Sequence, residues 1–321
     1  MLYKVIYRKN LTMLKTRVLQ SLYTLTSEQV QSLLNSLLKQ RLKRELSLAL
    51  ESLERSGYNL DYEIYRKKLL DITIVSVHQP GFLPWPGYFH KVIYSDFFVW
   101  LDHVDIARKN FVSRVPIQSF SGQKYLTLPL RKHSHTDKIH SIEVADEDWK
   151  TKHMGQLSYY SKAPFFNEIM DKVKQWYASA YGNRLNQVNW FLFQMVLELL
   201  NISSEVISSK EMNLSSKKED LMIEITKKTG GNVYFSGTQA ASYQTTDNFA
   251  KQDISLVYQN YYDYQQTFPY DQGDGEFSNG VSILDLLFYH GPEGAKKYIM
   301  QYDEYALQLQ IDNILNSKVS R

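Results

Sequence analysis

From residue 72 onward this 321-residue chain reads as an α/β domain with a Rossmann-like, mixed or mostly parallel sheet and flanking helices. Two observations predict it. Short β-branched or aromatic stretches alternate with segments of helical periodicity, the pattern of a sheet buried between helices. The first stretch, Ile72-Thr73-Ile74-Val75-Ser76-Val77, ends on His78-Gln79 and a turn stiffened by Pro80, Pro84 and Pro86. A rigid loop after a strand is where such folds place polar chemistry. The chain is 43% hydrophobic and 14% aromatic, enough apolar surface for a real core.

Residues 1–70 read differently, as a basic amphipathic helical extension suited to a hairpin. Thr26-Ser27-Glu28-Gln29 has capping-box spacing, in which the Thr hydroxyl and the Gln side chain satisfy exposed amides reciprocally. Val30, Leu33, Leu34, Leu37, Leu38, Leu42, Leu46, Ala49, Leu50 and Leu53 follow at three- and four-residue steps, predicting a helix near 27–55 that Gly57 ends. Leu11, Leu14, Val18 and Leu22 form a shorter stripe before it. Self-association through 1–70 would bury both stripes.

Over 71–321 the expected strands lie at 72–78, 97–101, 125–130, 204–208, 232–236 and 255–260. The expected helices lie near 87–95, 153–160, 164–180, 184–200, 217–229, 245–252 and 280–289. Gly87-Tyr88-Phe89 opens the first helix directly after the proline-rich turn.

Composition excludes several classes. No cysteine is present, so disulfides, thiolate metal sites and cysteine nucleophiles are ruled out. No run approaches the roughly 20 apolar residues of a membrane span, and the start lacks a secretory leader, so a cytoplasmic location is expected. The net charge of +3 hides a split: 13 basic and 6 acidic residues fall in 1–70, leaving 24 and 28 for the rest. No nucleic-acid-binding motif accompanies the basic part, so nucleic acid is not the expected partner. The P-loop, the dinucleotide glycine fingerprint and the hydrolase nucleophile elbow are also missing, and no cofactor is assigned.

The candidate chemistry lies at the predicted strand ends. His78 could act as a base near neutral pH, and Gln79 could bond a polar substrate edge. Asp102 could position a hydroxyl or amine, bind Mg²⁺, or hold an imidazole in one tautomer, and His78 or Asp102 is the catalytic group expected to deprotonate an acceptor. His103 and Asp105 alternate along the following extended segment and are expected to face one side. Arg108, Lys109 and Arg114 form a basic patch for phosphate, with Arg114 offering a bidentate fork. A solvated basic face explains that patch about as well. His133, His135 and His140 sit in a segment that reads as a loop, and no metal site is assigned to them. Asp285, inside the apolar helix Ile283–Phe288, is expected to support structure rather than act as a nucleophile.

Gln79-Pro80, Leu83-Pro84 and Gly87-Tyr88-Phe89, followed by Asp96-Phe97-Phe98-Val99, resemble the opening of the WbqC-like family of bacterial proteins. Tyr125–Leu130, Tyr160-Ser161-Lys162-Ala163-Pro164-Phe165-Phe166, Tyr234-Phe235-Ser236-Gly237 with Tyr243 and Phe249, and Phe277–Phe288 fit later blocks of it. The resemblance covers about 72–300. Members are often encoded with genes for O-antigen and other surface polysaccharides. It therefore implies group transfer to a nucleotide-activated sugar or its amine, with a nucleotide sugar or other phosphorylated small molecule as partner. The alternative is a non-catalytic binding or assembly protein recruiting a partner through its N-terminal helices. In the family's terms Pro80, Pro84, Gly87 and Tyr88 shape the signature turn. This chain departs from the pattern at His103, where an aspartate is usual, at Asp105, where glutamine is usual, and at Ser113, where asparagine is usual.

Overall fold

β1 (Ile74–His78) is buried along nearly its whole length, as befits a strand covered on both faces. The computed structural model describes residues 73–106, 111–145, 148–180, 182–202, 204–242, 244–273 and 276–301. The extension expected over 1–70 lies outside them, as do Arg108 and Lys109.

After β1 come α1 (Pro86–Ile93) and β2 (Phe97–Trp100), then a hairpin of β3 (Arg114–Ile117) and β4 (Lys124–Thr127). α2 (Trp149–Leu157), α3 (Phe166–Ser179) and α4 (Leu185–Leu199) lead to β5 (Glu205–Ser208). α5 (Lys218–Lys228), β6 (Val233–Gly237), α6 (Thr246–Ala250), β7 (Ser255–Gln259), α7 (Tyr261–Thr267) and α8 (Ile283–Gln301) complete the order.

The main sheet runs β5-β2-β1-β6-β7, and every pairing in it is parallel. The chain winds outward from β1 to β2 and β5, returns, and winds outward again through β6 and β7. The strand order therefore reverses between β1 and β6, which makes that junction the topological switch point. The antiparallel β3–β4 pair is a separate small sheet.

Alternate residues of each strand feed opposite faces. Val75, Val77, Val99 and Leu101 pack with Leu221 and Ile225 of α5 and Phe249 of α6. Phe98 and Trp100 enter the other core, with Tyr88 and Phe89 of α1, Phe193 of α4 and Leu284 of α8. Rings dominate that side: Phe98 and Phe193 lie 6.0 Å apart, and Trp100 and Phe193 4.8 Å apart. Polar groups fix the strand starts, where Asp96 Oδ2 accepts from Ile74 N at 2.8 Å. The result is a helix–sheet–helix sandwich, the predicted α/β class.

The structure corrects several boundaries. The helix expected near 153–160 starts at Trp149, where Asp148 caps it by accepting from Thr151 N. The strand expected at 125–130 is shorter, Lys124–Thr127. β3 was not expected, because Pro116 argues against a strand; it survives as one arm of a two-stranded hairpin. α7 was missed because Tyr-Tyr-Asp-Tyr-Gln-Gln-Thr has no aliphatic periodicity, and it is anchored by Tyr261 and Tyr264 instead. The helix expected to end near 289 continues through a kink at Gly291, where φ is 64°. Only glycine fits there, since a Cβ would lie 2.7 Å from the Phe165 ring.

Candidate functional site

The signature turn is fastened from two sides. Ser282 Oγ donates to Leu83 O at 2.7 Å, and Ile283 N donates to Pro84 O at 2.9 Å. Pro80 and Pro84 are buried, and Tyr88 Oη donates to Gln79 O at 3.1 Å. Gly87 is required sterically, because a Cβ would lie 2.3 Å from the Trp85 indole. That indole stacks on Tyr262 at 4.5 Å. The turn residues thus hold His78 and Gln79, both half-buried, at the carboxyl end of β1.

His78 Nδ1 lies 3.0 Å from Gln79 O. A carbonyl only accepts, so Nδ1 carries the proton and Nε2 keeps its lone pair. Burial, reinforced by Lys91, holds this imidazole neutral by lowering its pKa to about 3, against a raising contribution from the Gln79 carbonyl.

Lys91 is a group that sequence reasoning missed. It sits on α1 in what looks like an ordinary helical run, yet it is buried, and Nζ donates to Val77 O at 3.0 Å. Burial lowers its pKa to about 7. The reason lies in the switch point. β1 and β6 are paired at Ile74–Val233 and Val75–Tyr234. Beyond these pairs side chains take the groups: Ser76 Oγ donates to Phe235 O at 3.1 Å, and Ser236 Oγ donates to Gln244 Oε1 at 2.7 Å. Lys91 fills the place of a ladder hydrogen bond where the two strands part.

One strand over, Asp102 is buried and heavily bonded. Ser208 Oγ donates to both carboxylate oxygens at 3.0 Å, and Ser209 Oγ and Lys210 N donate to Oδ1 at 3.1 Å. Asn186 Nδ2 donates to Oδ2 at 3.0 Å, and Asn186 in turn accepts from Trp100 Nε1 at 2.8 Å. The carboxylate thereby joins the ends of β2 and β5 to α4. Because Ser209 gives its proton to Asp102, its oxygen accepts from His103 Nδ1 at 2.7 Å. The half-buried His103 is thus oriented with Nε2 as its acceptor. Burial is the largest cause lowering its pKa, with Lys138 and His140 adding to it and Asp102 and Glu224 opposing.

The other predicted residues disperse. Asp105 is exposed and pairs with Lys138 Nζ at 2.6 Å, a contact that lowers its pKa. Arg114 lies over the Tyr125 ring, 4.7 Å from its centroid. Asp285 is fully buried and accepts from Tyr270 Oη at 2.8 Å and Gln272 Nε2 at 2.9 Å, on the same helix start whose Ser282 and Ile283 fasten the turn. His78 and Asp102 come together through the sheet: His78 pairs in register with Trp100, and Leu101 N donates to His78 O at 2.9 Å. Among the described residues, no group of three or more His, Asp or Glu side chains is placed to hold a metal ion. Among them also, no helix is long and apolar enough to cross a membrane.

The sequence profile of the WbqC-like protein family matches residues 79–297. The uncharacterised protein Rv1507c of Mycobacterium tuberculosis is 29% identical over 224 residues, which cover 68% of this chain and 94% of that protein. No solved structure gave a significant match.

Proposed function

Because this chain belongs to the WbqC-like protein family, we propose that it serves bacterial surface-glycan biosynthesis by transferring a group to a nucleotide-activated sugar or its amine. The carrying observation is that His78 and His103, each held in one tautomer by its own hydrogen bond, stand at or just past the ends of adjacent strands at the carboxyl edge of a doubly wound sheet, where such folds bind their ligands.

In this reading the acceptor amine or hydroxyl gives its proton to His103 Nε2 as its bond to the incoming group forms. The leaving group departs with its electron pair. The imidazolium that develops is steadied by Asp102 through Ser209, so Asp102 acts by position. His78 Nε2 accepts a hydrogen bond from the substrate, and the Gln79 side chain orients its polar edge. Lys91 holds the end of β1 from beneath, its Nζ donating to Val77 O. Arg108, Lys109 and Asp105 are assigned to the approach to the strand ends, and Arg114, over the Tyr125 ring, to an anion held beside the hairpin.

Mass spectrometry of reactions containing nucleotide-activated amino sugars and simple acyl or aminoacyl donors tests this. A mass-shifted sugar is the expected product, and His103→Ala is expected to lower its rate by about a hundredfold, within the range of a lost general base. Retention of a nucleotide sugar without turnover would replace transfer by recognition. Neither retention nor turnover would sink both.

A further inference from the structure

A concavity of about 690 Å³ lies away from the strand-end residues, between the β3–β4 hairpin and α2. Its volume is that of a small-molecule site. Phe120, Tyr125, Trp149 and Tyr159 supply aromatic walls, and Lys124 and Lys152 supply ammonium groups. Among the described residues that line it, none is acidic. Two more cations rest on lining rings: the Arg114 guanidinium on Tyr125 at 4.7 Å, and Lys150 Nζ on Trp149 at 5.6 Å.

The walls are built before any ligand arrives. Gln156 Nε2 donates to Tyr125 O at 3.2 Å, and Thr127 N donates to His153 Nε2 at 3.0 Å, which joins the hairpin to α2. Phe82 of the signature turn backs the inner wall, its ring 6.4 Å from Trp149 and 5.6 Å from His153. Meanwhile Phe120 is 86% exposed and Tyr125 40% exposed, aromatic faces that folding leaves unburied. Rings attract planar ligands by stacking, and ammonium groups set among them favour an anion over a neutral sugar.

We propose that this cavity binds a phosphorylated nucleoside, its base stacked on Phe120 and Tyr125 and its phosphates held by Lys124 and Lys152. This rests on the reading of the protein as acting on nucleotide-activated sugars and names the place where their nucleotide part is held. Free nucleotide and nucleotide sugar share that chemistry.

Calorimetric titration of the full chain with UDP, GDP, dTDP and CDP, with UDP-glucose and with inorganic phosphate provides the test. At least one nucleoside diphosphate is expected to bind more tightly than phosphate. Its affinity is expected to fall about tenfold in Lys124→Glu and Lys152→Glu, the scale of a lost charge-assisted contact. In Phe120→Ala it is expected to fall about fivefold, the scale of a lost stacking face. Tighter binding of UDP-glucose than of UDP marks the sugar conjugate as the ligand, and the reverse order marks the free nucleotide; either supports the site. A nucleotide that binds the native chain and all three variants equally overturns the cavity site and leaves the transfer reading intact. Absence of nucleotide binding also overturns it, and transfer is then decided by turnover alone. Loss of binding in the variants with no transfer to any amino sugar sustains the site and sinks the transferase.

Discussion

Asp285 carries a carboxylate into an apolar helix, and its surroundings show the cost. Burial raises its pKa to about 6, while hydrogen bonds from Tyr270, Tyr160 and Gln272 hold it below what burial alone would impose. The folded chain therefore holds this proton more tightly than the unfolded chain does. Its stabilising contribution is complete below about pH 4, the unfolded value, and is lost as pH rises through the folded value of about 6. Replacing Asp285 by Asn removes that loss. Between about pH 4 and 7 the stability of Asp285→Asn relative to the native chain is expected to rise by about 3 kcal/mol, then level off. Urea unfolding at several pH values measures it, and parallel curves for the two chains would contradict it. The placement of Asp285 was readable from sequence, since a lone acid among Ile283, Leu284, Leu286 and Leu287 has to be buried with partners. The partners were not readable. Lys91 was hidden for the opposite reason: a lysine in a short helix reads as solvated, and only the parting of β1 from β6 gives it a buried carbonyl to serve.

At the scale of elements, Asp102 works as a clasp. β2 and β5 are adjacent strands from distant parts of the chain, and their carboxyl ends meet around one carboxylate with four protein donors. Truncating it leaves the buried Ser209 hydroxyl and the part-buried Ser208 and Asn186 donors without their acceptor. Asp102→Ala is thus expected to lower stability by roughly 3 kcal/mol, since each orphaned donor costs about 1 kcal/mol or more. A change within about 0.5 kcal/mol in urea unfolding, the scale of an ordinary surface substitution, would count against the clasp. The strand that leads to Asp102 was legible, because Phe97-Phe98-Val99-Trp100 is a short β-prone run followed, after Leu101, by a polar residue. Ser208, Ser209 and Asn186 were not, since they lie 84 to 107 residues from Asp102 and carry no local signal. The same reasoning accounts for β3, whose proline hides a strand that only its hairpin partner makes visible.

For the whole molecule, both described cores are formed by residues between Val75 and Ile299. A chain starting at residue 73 is accordingly expected to fold, with a cooperative thermal transition by far-UV circular dichroism. We propose that residues 1–70 mediate self-association. Size-exclusion chromatography with light scattering is expected to show a smaller species for the shortened chain, and an unchanged oligomer would remove that role. Sequence alone determined the class of the fold and which polar residues stand at the ends of its strands. Alternation of strand and helix periods is a local property, and so is a strand that ends on histidine, glutamine or aspartate. Tertiary structure decided the rest. It closed Asp102 inside a ring of donors and fixed the His103 ring against Ser209. It moved Arg114 onto Tyr125 and opened a cationic, aromatic cavity that no single segment encodes. The physical reason is that hydrogen-bond capacity and concavity belong to pairs of distant elements, and they come into being only when the sheet and its helices pack.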